Sequence, residues 1–361
     1  MPEAARPARR PAIAFAVRVW HDPAVIASVQ FKHFKALRAT TLRLEAFNLL
    51  IGPTGSGKTS VIQALLRLRT LARQPGAAME AGGPEPARRN GGPEIVFRFA
   101  PPNADIEVHL GCRSEAVCDL LQPRVPDTAD ARRRWEALRA RLGEIRAYLF
   151  DHYAMAEPVA GTAGDELATN GRNLAAVLAR MRAGQAETFG RLEGEFRRVL
   201  PEFAAVETPV AGEGSVRLGL RLAEGGELLT GENVSQGALY TLAFLTLAFQ
   251  PRPPPVLCLE EADRGVHPRL LREVRDALYR LTHPASYGEK REPVQIVATT
   301  HSPFLLDLFR EHPEEIVIAT KRGGSATFQR LSERPDVKEI LAEGSLGDIW
   351  FSGVLGGVPE E

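Results

Sequence analysis

The segment Gly52-Pro53-Thr54-Gly55-Ser56-Gly57-Lys58-Thr59 constrains this chain more than any other. Its spacing, G-x-x-x-x-G-K-S/T, has a mechanism only between an apolar strand and a helix. Both are present. Phe47 to Ile51 reads as a short apolar strand, and in Thr59 to Leu71 the residues Val61, Ile62, Leu65, Leu68 and Leu71 recur at helical spacings of three and four. Such a unit is a phosphate cradle, because glycines let backbone N–H groups close on phosphate oxygens and the helix N-terminus adds about half a positive charge. Gly52 to Ser60 would form the cradle, Lys58 would reach the β and γ phosphates, and Thr59 would hold Mg2+ through its hydroxyl.

Two further apolar strands end in chemistry. Val256 to Leu259 runs into Glu260 and Glu261, and ligands of parallel sheets bind at that end of the strands. The first acid is placed to hold Mg2+, the second to orient or deprotonate an attacking water. Val294 to Ala298 runs into Thr299-Thr300-His301-Ser302-Pro303, where His301 could reach the γ phosphate. The intervening helices, Pro268 to Leu281 and Phe304 to Arg310, and a last strand Ile316 to Ala319, alternate with these strands and imply a mainly parallel sheet with helices on both faces. Glu232 to Gly237 precedes Ala238 to Phe249, an all-apolar helix; its Ser235 and Gly237 read by themselves as a capped helix start.

Around this core the pattern divides the chain. We expect a flexible basic start over 1–24 and a core over 25–120 and 206–335. A helical lobe would occupy 121–205, with a tail over 336–361. Ile26 to Phe31, Leu42 to Ala46 and a hairpin between Glu94 and Arg113 suggest an N-terminal antiparallel subsheet. Between Gln74 and Pro93 nine of twenty residues are Gly or Pro, the mark of a linker or mobile insertion. Ala129 to Leu149 and Leu174 to Val199 carry helical spacing, the second opening at Asn173 as N-cap. Val216 to Leu222 and Glu227 to Leu229 read as a second hairpin.

Charge excludes a polybasic nucleic-acid coat, since 45 Lys and Arg balance 45 Asp and Glu. The clusters Arg6, Arg9, Arg10, Arg18 and Arg132 to Arg134 read as solvated faces, so DNA binding does not follow from charge. The longest apolar run, twelve residues, is too short to cross a bilayer. Cys112, Cys118 and Cys258 fit neither a disulfide framework nor a zinc site, and we expect reduced thiols in a cytoplasmic protein.

In this order, cradle, S-x-G before a helix, strand ending in two acids and strand ending in His, the motifs resemble the ABC-type ATPase heads. More narrowly they are similar to the predicted ATPases of the RecF, SMC and OLD-like group. Phe31 to Leu37 echoes that group's N-F-K-S-L, Glu260 to Pro268 its E-E-P-E-x-G-L-H-P, Val234 to Leu239 its L-S-D-G-T-L, and Thr300 to Pro303 its T-H-S-P. Gln236 stands where the group has Asp, and Ala262 where it has Pro. The likeness implies a P-loop NTPase of ABC-ATPase-head type with an inserted helical lobe, using ATP and Mg2+. Glu261, His301 and Lys58 would be catalytic, and Thr59 and Glu260 would be metal-binding. Two copies would form a dimer over ATP, with Ser235 and Gly237 of one contacting the phosphate held by Lys58 of the other. DNA repair or phage defence is the implied setting. The sixty residues after His301 are too few for the Toprim nuclease domain of OLD-type relatives, so a nuclease would be a separate effector protein. An ATP-gated scaffold with little turnover is the alternative, and a transporter subunit a more distant one. His267 would line the dimer seam or sit at the helix start after Pro268, and Phe31 or Phe34 would stack on a base or belong to the core.

Overall fold

The computed structural model describes residues 25–74, 92–164 and 166–356. The basic start, nearly all of the Gly/Pro-rich segment and the last five residues lie outside the described residues.

The chain opens with β1 (Ile26–Phe34) and β2 (Leu37–Arg43), an antiparallel pair whose turn puts His33 and Lys35 in left-handed backbone at φ 54° and 55°. β2 thus begins five residues before the strand expected at Leu42. β3 (Phe47–Ile51) leads through the glycine loop into α1 (Lys58–Ala72). Then β4 (Glu94–Phe99), β5 (Glu107–Cys112) and β6 (Cys118–Arg124) complete a five-stranded sheet in the order β2-β1-β4-β5-β6. The expectation of three free thiols is corrected here. The β5–β6 hairpin sets Cys112 opposite Cys118, and the two are joined as a disulfide; only Cys258 is free, and it is buried.

After α2 (Ala129–Leu142) the helical spacing predicts continuation to Leu149, but Arg146 to Tyr148 form β7 (Arg146–Tyr148), which pairs in parallel with the strand bearing the two acids. The helix ends at Gly143, where the conformational freedom of glycine makes another turn costly, and Tyr148 gains a buried place in the sheet. α3 (His152–Ala156) and β8 (Val159–Ala160) follow, then α4 (Leu174–Gly184) and α5 (Ala186–Val199), two helices where one was expected, broken at Gln185. Asn173 takes the N-cap position of α4 as expected, but its side chain bonds no amide of the helix. Its buried side chain instead accepts from the Ala168 amide at 2.7 Å and donates to the carbonyls of Ala163 and Glu166, tying down the preceding loop. β9 (Phe203–Glu207), β11 (Gly219–Leu222) and β12 (Leu228–Thr230) make a small antiparallel sheet, while β10 (Ser215–Val216) pairs with β8. α6 (Gln236–Phe249) is buried at every position from Ala238 to Phe249.

The remainder comprises β13 (Val256–Leu259), α7 (Leu271–Thr282), β14 (Gln295–Thr299), α8 (Pro303–Asp307), β15 (Ile316–Arg322), β16 (Ser325–Arg330), α9 (Val337–Ala342) and α10 (Leu346–Phe351). Six strands form the central sheet in the order β16-β15-β3-β14-β13-β7, parallel except for β16. Strand pleating sends alternate residues to opposite faces. Leu49, Leu257 and Ile296 therefore join a core with α4 to α8, while Leu50, Cys258 and Val297 join a second core with α1, α2 and the five-stranded sheet. Burial on both faces explains why these strands are apolar throughout. Phe31 and Phe34 are wholly buried in the second core, so the core reading of these two rings holds. At the lower edge of the sheet, the buried Gln295 side chain bonds the backbone of Val25, Ile26 and Glu45, fixing the N-terminal sheet to β14. Among the described residues no helix is long and apolar enough to cross a membrane.

Candidate active site at three adjacent strand ends

β14 lies between β3 and β13, so the loops leaving the upper ends of these three strands meet. The first is the glycine loop. Gly52 has φ +141°, and a Cβ there would lie 2.1 Å from the Ala319 carbonyl oxygen of β15; Gly57 has φ +91°, with the Leu37 side chain 2.6 Å from its would-be Cβ. Only glycine fits either place. The loop closes with the Ser56 amide donating to the Pro53 carbonyl at 3.2 Å, and α1 then starts with no side chain capping it. Its first-turn amides are thus available to an anion. Ser56 Oγ is buried and has no hydrogen-bond partner, a cost normally avoided unless a ligand answers it. A cradle of positive-φ glycines, an uncapped 15-residue helix and an orphaned hydroxyl fit a phosphate group.

Lys58 Nζ folds over the loop, donating to the carbonyls of Gly52 at 2.7 Å and Pro53 at 3.0 Å. Burial pushes its ammonium down to about 8, opposed by the negative charge of Glu261. Thr54 and Gly55 are exposed on the loop and Ser60 is buried in the first turn. Thr59 Oγ1 donates to Glu260 Oε1, joining the start of α1 to the end of β13. A hydroxyl and a carboxylate oxygen converging in this way are hard donors of the kind Mg2+ takes alongside water and phosphate. Among the described residues no group of three or more His, Cys, Asp or Glu gathers as a metal cage.

Glu261 is exposed and has left-handed backbone at φ 51°, uncommon for a residue other than glycine. Its amide donates to Thr299 Oγ1 at 2.9 Å, and the next amide, of Ala262, to the Thr299 carbonyl at 2.9 Å. Asp263 accepts from Thr300 Oγ1 and, at 3.4 Å, from the His301 amide. His301 is exposed at the head of this loop. Partial burial and then Lys58 hold its pKa below the ordinary 6.5, with Asp263 and Glu261 pulling the other way. Lys58, Glu261 and His301 thus share one electrostatic environment. Behind the two acids Tyr148, Phe150, Tyr240 and Phe244 wall a hollow of about 10 Å³, room for one water at most.

Ser235 caps α6, its Oγ accepting from the Ala238 amide at 3.3 Å, and stays exposed. Gly237 faces the turn after the acids, 3.8 Å from the Gly265 carbonyl oxygen to its would-be Cβ. Among the described residues no hydrogen bond or ion pair joins Ser235 or Gly237 to the glycine loop of the same chain. His267 caps the turn at Pro268, its Nδ1 accepting from the Arg269 amide at 3.2 Å. Thr299 and Asp263 were missed in the sequence. The adjacent Thr299-Thr300 pair before His301 was visible there, but nothing local says which amides it holds. Arg132, Arg133 and Arg134 each pair with a carboxylate, Asp127, Asp130 or Asp105, as a solvated face would.

The family model described as "AAA domain, putative AbiEii toxin, Type IV TA system" matches residues 127–307, half of the chain. The chain belongs to that family. The match starts beyond the glycine loop and includes Ser235, Glu260, Glu261 and His301. Among solved structures, the SMC head bound to the C-terminal winged-helix domain of ScpA is 14% identical; the match covers 87% of this chain and 99% of that one at a TM-score of 0.54. The Thermotoga maritima SMC head domain is 15% identical, with 85% and 98% covered and a TM-score of 0.43. No curated protein matches. The AAA family membership and the SMC-head fold agree with the fold class read from the motifs, a P-loop α/β sheet with helices on both faces.

Proposed function

We propose that this AAA-family protein binds ATP with Mg2+ and hydrolyses it, working as an ATP-switched homodimer. The observation that carries the reading is the strand order β3-β14-β13, which brings the loops bearing Lys58, Thr59, Glu260, Glu261 and His301 to the same end of one sheet. In this reading Gly52 to Ser60 cradle the phosphates and Lys58 turns from its carbonyls to the β and γ phosphates. Thr59 and Glu260 would hold Mg2+, which supplies neutralisation of charge on the transferring phosphoryl group. Glu261 takes a proton from the attacking water as the water oxygen bonds to the γ phosphorus and the bond to the bridging oxygen breaks, leaving ADP and phosphate. His301 would donate a hydrogen bond from its ring N–H to a γ-phosphate oxygen.

The exposure of Ser235 at a helix start, with no hydrogen bond among the described residues to the glycine loop of its own chain, supports the two-copy site: a second molecule would present Ser235 and Gly237 to the phosphate. A cytoplasmic setting belongs to the same proposal, while the expected lobe and tail are not separate from the core, since β7 joins the central sheet and Leu346 and Ile349 are buried in its core. The family's toxin–antitoxin description supports a place in phage defence or genome maintenance, and the ScpA domain in the SMC-head complex supports a separate protein partner. The test is turnover against protein concentration. A rate rising faster than linearly, and lowered about 10²–10⁴-fold by Glu261→Gln, is expected. Flat, negligible turnover in wild type despite tight ATP binding would overturn the hydrolase reading in favour of a scaffold.

A further inference from the structure

The loops leaving β13 and β14 are cross-linked by side chains from both. Thr299, the last residue of β14, is buried. Its hydroxyl and its carbonyl take the amides of Glu261 and Ala262, both at 2.9 Å, so one residue of the middle strand grips two successive residues of the acidic loop. Between those amides the chain takes the left-handed turn at Glu261, and the Arg264 amide closes it on the Glu261 carbonyl at 2.8 Å. In the opposite direction Asp263 reaches from the acidic loop to Thr300 Oγ1 and the His301 amide. Each loop thus grips the other. Left-handed backbone at a glutamate persists only where its surroundings over-determine it, and such strain gathers at working sites.

We propose that Thr299 and Asp263 form a two-way latch that sets the Glu261 carboxylate and His301 at a fixed separation for the attacking water. Both are positioning residues and neither touches the substrate. The inference rests on the hydrolase reading above. It adds that the Glu261 amide, through Thr299, determines where its carboxylate points. Asp263 carries the same constraint to His301. The nucleotide is held by the glycine loop and Lys58, to which neither Thr299 nor Asp263 bonds, so the latch acts on kcat and leaves nucleotide affinity alone.

The decisive pair is Thr299→Val and Thr299→Ser. Valine keeps the shape and removes the acceptor; serine restores the hydroxyl. We expect Thr299→Val to lower kcat at least about tenfold, since misplacing a reacting group by an ångström costs up to about 10²-fold, with the Kd for ATP within about twofold of wild type. Thr299→Ser should recover most of that loss, and Asp263→Ala should resemble Thr299→Val. A Thr299→Val protein with wild-type kcat, or one whose affinity falls in step with its rate, overturns the latch. If wild type itself shows no turnover, the hydrolase reading fails, and amide hydrogen exchange decides the latch separately. Exchange at Glu261 should then be faster in Thr299→Val than in wild type while β13 stays protected, and equal exchange overturns it.

Discussion

Replacing Gly52 with Ala tests the loop geometry directly, because the structure supplies its own control at Gly55. At Gly52 two costs combine. Its φ of +141° lies in a region essentially reserved for glycine, and the new Cβ would stand 2.1 Å from the Ala319 carbonyl oxygen. That oxygen belongs to the backbone of β15, which is paired with β3 and β16, so it has nowhere to go. The backbone term alone is about 1–3 kcal/mol, and relief of the overlap must come from shifting a sheet strand, so the total should exceed about 3 kcal/mol. Gly55 has φ +78°, and the nearest atom to its would-be Cβ is the tip of the Lys321 side chain at 3.7 Å. Alanine there costs the left-handed term only, about 1–2 kcal/mol. Equilibrium unfolding by denaturant, followed through the fully buried Trp135, would give both values. Equal losses for the two variants, or a Gly52→Ala protein as stable as wild type, would refute the claim that β15 sets the shape of the loop.

Other expectations follow from single contacts. Lys58→Ala should leave the fold intact and weaken ATP binding at least about tenfold, as removal of a charge-assisted phosphate contact does, readable by calorimetry without any turnover. Glu315 is buried with its carboxyl pushed up to about 7 by burial, and it accepts a hydrogen bond from the Tyr279 hydroxyl. The native state therefore keeps a proton that the unfolded chain loses near 4.5, so stability should fall as pH rises from about 4.5 to about 7 and level off above. Glu315→Gln should flatten that slope and stabilise the protein at pH 8 by about 3 kcal/mol, the value of a shift of this size. Cys258 is buried with its thiol pKa raised by burial, so a thiol reagent should leave it unmodified in the folded protein at pH 8 and modify it on unfolding.

Where local pattern decides structure, it was legible. The buried strands could be read because a strand covered on both faces must be apolar at every position, and α1 because one face of it must be. The errors came where tertiary contacts override spacing. Arg146 to Tyr148 carry helical spacing, yet the open edge beside β13 takes them as a strand. Asn173 does stand at the N-cap of α4, but its side-chain amide is taken by Ala163, Glu166 and Ala168 instead of the helix. The pairing of Cys112 with Cys118 depends on the register of β5 and β6, which a six-residue spacing does not reveal.

By itself the sequence determined the parts of the site: a glycine loop able to bend around phosphate, a lysine and a threonine at a helix start, two acids and a histidine at strand ends. Those choices are chemical and local, written in adjacent residues. The tertiary structure decided their arrangement. That β14 lies between β3 and β13 is what brings the three ends together, and strand order arises from burying both faces of a sheet at once, a condition on the whole chain. The hold of Thr299 on Glu261 and the grip of Asp263 on Thr300 come from the same source. They exist only between residues far apart in sequence, and no short stretch of the chain contains both halves of either.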